Sequence, residues 1–289
     1  MGTFIGHISP GLAFITFGLL WAFQASFGLQ REKYNNRLQA DGRGRCMKIL
    51  TSVPWEAVMK IFYGTLAALA EFFFPLGVNK LEMFKGGELQ HPNEWQHFTM
   101  YSYFAMSGIV DVISQRVLKH RAEPLENFFL ALAFGVETHL LYNHRHGKGM
   151  FENTIHILLV IASFGSFVGN LLRVWHVKDK LIPFLLAGFA LLQGTWFFNA
   201  AFLIYREEWD ADSHGSVMFV TMAYCWHIVL AIVTLASIYG LVYICFGRRW
   251  RKQHHTATSS PLQLNSHKNN NGLYRELETE KVFSETPDI

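Results

Sequence analysis

The chain has 289 residues, of which 51% are hydrophobic and 16% are charged, and its formal net charge is +3. Soluble domains carry about a quarter charged residues, so this composition excludes an ordinary soluble globular domain. The small positive charge gives no reason to expect a nucleic acid partner. The lipid bilayer is the partner that the composition predicts.

The apolar residues come in long blocks, and a helix needs roughly 20 mostly apolar residues to cross a bilayer. These blocks predict an all-α bundle of seven transmembrane helices. The predicted spans cover residues of about 9–28, 53–74, 95–116, 126–144, 153–175, 181–205 and 217–246. The second span is interrupted by Glu56 and Lys60.

Lysine and arginine predict the orientation, because they remain on the cytosolic side of short loops. Sixteen of them lie in segments 29–52, 116–125 and 173–180 or directly after the last span, whereas the opposite segments hold five. The N-terminus is therefore expected on the lumenal or extracellular side and the C-terminus in the cytosol.

The region 251–289 is polar and too poor in apolar residues to fold alone, which predicts a disordered cytosolic tail after a membrane domain of residues 1–250. Within the tail, Tyr274 and Leu277 fit the tyrosine-x-x-bulky pattern that clathrin adaptors bind. A non-catalytic scaffold or trafficking adaptor is therefore one functional hypothesis. Cys245, at the predicted cytosolic membrane edge, is a candidate for palmitoylation.

Ionisable and amide side chains also occur inside the predicted spans, where they are costly and usually face the bundle interior. With a rise of about 1.5 Å per helical residue, most of them fall in the non-cytosolic half of the bilayer. Asp111 is the exception, close to the cytosolic side. The residues of the non-cytosolic group are Glu71, His97, Glu137, His139, His144, His156, Gln193, Asn199 and His227.

The segment ETHLLYNHRHG concentrates this chemistry in the fourth span and the loop after it. Positions seven apart lie on nearly the same helix face, so Glu137 and His144 share one stripe, while His139 and His146 share another. We expect one stripe to face the interior and meet histidines of other spans.

Three interpretations of these histidines remain open. They can be structural, with interhelical hydrogen bonds of about 1 kcal/mol each. They can bind a divalent metal such as Zn or handle protons, and a metal-bound water would make the protein a hydrolase. They can also ligate haem, through His97 with His156 or His139 with His227. The metal candidates are His97, Glu137, His144, His156 and His227, supported by Glu71, Asp111, His139, Gln193 and Asn199.

Several motifs carry a family resemblance: GHISPG from Gly6, WQHFTMY from Trp95, YNHRHG from Tyr142, LLQGTWFF from Leu191, and Cys225-Trp226-His227. As a set they resemble the transmembrane protein 45 family, which includes an epididymal relative. The resemblance implies an integral membrane protein, and some members of the family are associated with Golgi, endosomal or lysosomal compartments. The plasma membrane remains an alternative location. It implies no defined biochemical activity.

Overall fold

The computed structural model of the protein describes residues 4–35, 54–75, 77–205, 210 and 213–258. The chain divides into two compact units, Met1–Gly247 and Arg248–Ile289, and the fold below is that of the first. The predicted sorting motif at Tyr274 and Leu277 lies outside the described residues. Cys245 is described, and its side chain is exposed.

The described residues form seven long helices, which are α1 Phe4–Asn35, α2 Trp55–Phe73, α3 Pro92–Val112, α4 Glu123–His144, α5 Met150–Trp175, α6 Ile182–Tyr205 and α7 His214–Thr258. A π-helical turn, Ile113–Val117, follows α3 directly. Between α2 and α3, strand β1 (Phe84–Lys85) pairs antiparallel with β2 (Glu88–Leu89). The protein is therefore mainly helical, as the sequence predicts.

Among the described residues, four helical segments are long and apolar enough to cross a membrane: Phe4–Gln30, Met150–Trp175, Ile182–Tyr205 and His214–Cys245. The remaining helices α2, α3 and α4 contain 19, 21 and 22 residues. Such lengths correspond to about 30 Å, the thickness of the hydrocarbon core. Each of these three helices contains two or three Asp, Glu or Lys residues, whereas among the four apolar segments only Met150–Trp175 contains any Asp, Glu, Lys or Arg.

Close helix packing depends on glycine at two interfaces. A Cβ at Gly194 of α6 would lie 2.6 Å from the backbone nitrogen of Ile15 in α1. On α2, a Cβ at Gly64 would lie 2.8 Å from the backbone nitrogen of Ala105 in α3. The absence of a side chain therefore lets α1 approach α6 and α2 approach α3, as small residues commonly do between membrane helices.

Aromatic side chains fill the centre of the core. Phe14 of α1 stacks on Phe197 of α6, with ring centroids 6.0 Å apart. Trp196 is fully buried, and its indole N–H donates a hydrogen bond of 3.0 Å to the carbonyl of Ile155 in α5. A core of this kind offers few hydrogen bonds, so each buried polar side chain needs a partner on another helix.

Candidate functional site

Three of the predicted histidines lie side by side although they come from three helices. His97 is near the beginning of α3, His144 is the last residue of α4, and His156 is in the second turn of α5. The ring centroids of His97 and His144 are 5.4 Å apart, and those of His144 and His156 are 5.8 Å apart. The ends of consecutive antiparallel helices meet, which brings the rings into one row.

A fourth imidazole extends the row. His7 of α1 is buried, with its ring centroid 5.9 Å from that of His156 and 5.5 Å from that of Tyr205 in α6. His7 is not among the candidates predicted from the sequence, because the first span is predicted to begin near residue 9, whereas α1 begins at Phe4. The GHISPG motif contained the signal, since His7 lies within it. We call the row His97, His144, His156 and His7 the histidine chain.

Hydrogen bonds fix the individual rings of the histidine chain. The Nδ1 of His97 lies 3.2 Å from the Glu71 carboxylate at the end of α2. The Nδ1 of His144 lies 3.3 Å from the side-chain oxygen of Gln96. His156 is almost fully buried, and its Nδ1–H donates to the carbonyl of Glu152 at 2.7 Å. Its Nε2 is therefore the nitrogen left to accept a proton.

The histidine chain is exposed at one end only. The side chains of His97 and Glu71 are 24% and 18% exposed, whereas those of His156 and His7 belong to the buried interior. Neighbouring imidazolium ions would repel each other at these distances. The arrangement therefore favours one excess proton shared along the row over several protons held at once.

Glu137 lies two helical turns from His144 on the same face of α4, and its side chain is fully buried. Its carboxylate accepts a hydrogen bond of 2.9 Å from the hydroxyl of Ser163 in α5 and one of 2.6 Å from the amide of Gln193 in α6. This second polar site joins α4, α5 and α6 below the histidine chain. Sequence reasoning missed Ser163, because a serine within a span carries no ionisable signal.

The remaining candidates lie apart from the histidine chain in the contacts that the structure describes. His227 of α7 packs its ring against Trp196 at 5.4 Å, and among described residues its buried Nδ1 has no hydrogen-bond partner. The side-chain nitrogen of Asn199 likewise lacks a partner within the described part of the chain. His139 is exposed and contacts Asn143 on the same helix.

Asp111 forms a separate ionic site between α2 and α3. Its carboxylate pairs with Lys60, and Lys60 also lies 3.6 Å from Glu56. The Lys60 and Asp111 side chains are only 4% and 5% exposed. Lys60 interrupts the second predicted span for a structural reason, since it neutralises a buried carboxylate on the adjacent helix.

The metal and haem interpretations receive little geometric support. Within the described residues, no group of three or more His, Cys, Asp or Glu side chains is arranged to hold a metal ion. A porphyrin between His97 and His156 would compete with the His144 ring, which contacts both. His139 and His227 have separate neighbours. The geometry instead resembles a row of proton acceptors and donors.

Comparison with known proteins gives two kinds of match. Residues 123–240 match the sequence model of a family of unknown function, DUF716. This segment holds Glu137, His144 and His156 but not His7 or His97.

Curated relatives match over most of the chain. Transmembrane epididymal protein 1A of Mus musculus is 28% identical over 259 residues, covering 83% of this chain and 81% of the relative. Transmembrane epididymal protein 1 of Rattus norvegicus is 28% identical over 249 residues, with coverage of 83% and 81%. The human protein of that name is 27% identical over 213 residues, with coverage of 70% and 77%.

These matches confirm the epididymal relationship expected from the motifs, and the apolar helices agree with the word transmembrane in the relatives' names. The chain is accordingly a membrane protein homologous to transmembrane epididymal protein 1, with a segment related to DUF716.

Proposed function

We propose that the protein is a seven-span membrane protein whose histidine chain takes up a proton at the non-cytosolic face and passes it between helices. The main support for this proposal is the row of four imidazoles, whose neighbouring ring centroids are 5.4, 5.8 and 5.9 Å apart. The row begins beside the Glu71 carboxylate. Histidine suits this role because an imidazole gains and loses a proton near neutral pH.

Seven spans and an outer N-terminus are supported by the positions of the helices. Each predicted span overlaps one of the seven helices, and the lysines and arginines alternate in density between successive loops. Under this topology Glu71, His97, His144, His156 and His7 all lie at the same, non-cytosolic ends of their helices.

The proton enters where the row is exposed. Glu71 and His97 are partly accessible, so a proton from the aqueous side can be held between the carboxylate and Nδ1. Transfer then proceeds to His144, to His156 and to His7. Because the Nδ1 of His144 faces Gln96 and the Nδ1–H of His156 faces Glu152, each of these two rings accepts the excess proton at Nε2 and releases it from the same nitrogen to the next ring. The lumen of an acidic Golgi, endosomal or lysosomal compartment would supply such protons, and this is the location we propose.

The experiment measures whether distant histidines titrate together. The full-length protein, labelled with ¹⁵N-histidine, is placed in lipid bilayers, and the protonation midpoint of His156 is followed by solid-state NMR. If the histidines exchange protons along the row, the protonation midpoint of His156 in the Glu71→Gln variant differs from that in the wild-type protein. The same substitution has no effect on His156 when His144→Gln interrupts the row.

His139→Gln is the matched control, because His139 lies on the same helix as His144 but outside the histidine chain. It should leave the coupling between Glu71 and His156 intact. Proton transfer along the row is contradicted if Glu71→Gln leaves the protonation midpoint of His156 unchanged in the wild-type protein as well as in the His144→Gln and His139→Gln variants. Stoichiometric zinc that is lost on His97→Ala would replace proton handling by the metal hypothesis, and a Soret band would replace it by the haem hypothesis.

The alternative function as a trafficking adaptor depends on the tail and makes the opposite predictions. Removing residues 259–289 would mislocalise such an adaptor, while His144→Gln would leave its location unchanged. Proton handling is therefore favoured if the protein without its tail keeps its normal location and if His144→Gln abolishes the effect of Glu71 on the His156 midpoint.

A further inference from the structure

A cavity unrelated to the histidine chain lies where α1, α5 and α6 approach one another near the end of α5. It is open on one side and spans about 730 Å³, open solvent included. Its polar lining comprises Gln24, Arg173, Lys178, Asp179 and Lys180 together with Trp21. A Cβ at Gly28 in the same wall would meet no atom within 4 Å, so the wall is open there.

Positive charge dominates this cavity. Among the side chains that the structure describes, three cations and one carboxylate line it. The carboxylate, Asp179, is already occupied, since one oxygen accepts the backbone N–H groups of Leu181 and Ile182 at 2.7 and 2.9 Å. These bonds also place Asp179 at the N-terminus of α6, where the helix dipole adds further partial positive charge.

Arg173 has unused hydrogen-bonding capacity. Its guanidinium Nε is buried, yet it has no hydrogen-bond partner within the described residues. A buried donor without an acceptor is unfavourable, and an anion in the cavity would remove that cost. The side chain of Lys178 is exposed and can reach the same anion as a flexible point charge.

The cavity is apolar on its other side. Leu29, Val177 and Pro183 contribute hydrocarbon to the lining. It also lies at the end of two helices that are long and apolar enough to cross a membrane, since α5 ends at Trp175, which is 70% exposed, and α6 begins at Ile182. A ligand that fits these features combines an anionic group with an apolar chain and is present at a membrane interface.

We propose that this cavity binds an anionic phospholipid, with its phosphate held by Arg173 and Lys178 and an acyl chain along Leu29, Val177 and Pro183. Basic pockets between membrane helices are known to hold acidic lipid headgroups. The assignment of the lipid to the cytosolic leaflet rests on the proposed topology, but the binding itself does not. Trp21 lines the deeper part of the same cavity and packs against the hydrophobic core.

The test compares lipid binding by two double variants of the full-length protein in neutral detergent. Arg173→Gln with Lys178→Gln removes two cations from the cavity. Arg116→Gln with Lys119→Gln removes two exposed cations from the loop after α3, on the same predicted side of the membrane but outside the cavity lining. The probes are short-chain phosphatidylserine, short-chain phosphatidylcholine and inorganic phosphate, and the readout is native mass spectrometry.

Wild type and the loop variant should bind phosphatidylserine in preference to phosphatidylcholine. The cavity variant should bind phosphatidylserine about 25-fold more weakly than wild type, which is about fivefold for each cation removed. Lys178→Gln alone changes only an exposed residue, so it should fold normally and weaken binding about fivefold. Three results would overturn the proposal: equal weakening in both double variants, no preference for the anionic lipid in wild type, or competition by inorganic phosphate as effective as that by the lipid.

Discussion

The amide of Gln193 in α6 donates its hydrogen bond to Glu137 in α4 across the centre of the protein, where both side chains are fully buried. Ser163 of α5 donates to the other carboxylate oxygen of Glu137. One acidic side chain therefore links three helices, and the packing of α4, α5 and α6 depends on it.

The first prediction concerns this link. Gln193→Leu removes the amide donor and leaves one oxygen of a buried carboxylate without its partner, so it should destabilise the fold by about 1–3 kcal/mol. Thermal unfolding in detergent measures the loss. Asn143→Leu is the control, because it removes an exposed hydrogen bond within α4 and should change stability far less. Equal stability of the two variants would mean that Glu137 does not join the helices.

The second prediction concerns the ion pair between α2 and α3. Lys60→Met leaves Asp111 buried and unpaired, which should destabilise the protein by about 3–5 kcal/mol. The double variant Lys60→Met with Asp111→Leu removes both charges and should recover most of that loss. A double-mutant cycle of thermal unfolding checks the coupling, and additive effects of the two substitutions would contradict it.

The third prediction contrasts two glycines in helices. Gly194→Ala places a methyl group against the α1 backbone, so it should destabilise the protein by about 1–3 kcal/mol. At Gly240 of α7 a Cβ would meet nothing within 4 Å. Gly240→Ala should therefore be neutral or stabilising by up to about 1 kcal/mol, because alanine favours the helix. Opposite signs in the two melting curves are the expected result.

The fourth prediction is a pH dependence at the segment between α2 and α3. Burial opposes ionisation of Glu94, but the hydrogen bond and charge of Lys80, 3.0 Å away, outweigh it and hold the pKa of Glu94 below its usual value. The ion pair therefore stabilises the fold above the unfolded pKa of Glu94, and this contribution disappears as the pH falls through the lower folded value.

Lys80→Gln should consequently be less stable than wild type at pH 7 and equal to it at the acidic end of the titration. The pair is partly exposed, so the difference at pH 7 should be about 0.5 kcal/mol. Proteolysis of the segment between the two helices, followed across pH, provides a local readout. A difference that persists unchanged below the titration range would assign the effect to something other than Glu94.

Helix positions could be predicted from the sequence because apolar blocks of span length leave few alternatives. The depth argument also placed His97 and His156 near the same surface, and in the structure the ring of His144 lies between theirs. The inward and outward stripes of α4 could be anticipated as well, since Glu137 is buried whereas His139 is exposed. The helical periodicity of the sequence and the depth of each residue in its span are enough to predict the buried face of a helix, even when the adjacent helices are not known.

The partners of each side chain could not be predicted, because depth does not tell which helices are adjacent. His227 was grouped with the other histidines, yet its neighbour is Trp196. His7 escaped notice because the boundary of the first helix was misplaced by a few residues. The ion pair of Lys60 with Asp111 could not be predicted either, because only the packing of α2 on α3 brings the two side chains together.

The orientation of the histidine chain has an electrical consequence. Because its members occupy the ends of their helices on one side, a proton that moves from His97 to His7 under the proposed topology travels parallel to the membrane plane. A transmembrane voltage changes the energy of a proton only when the proton moves along the membrane normal. Moving one elementary charge across the whole membrane changes its energy by about 2.3 kcal/mol per 100 mV. Occupancy of the row should therefore follow the acidity of the adjacent compartment and remain insensitive to membrane potential.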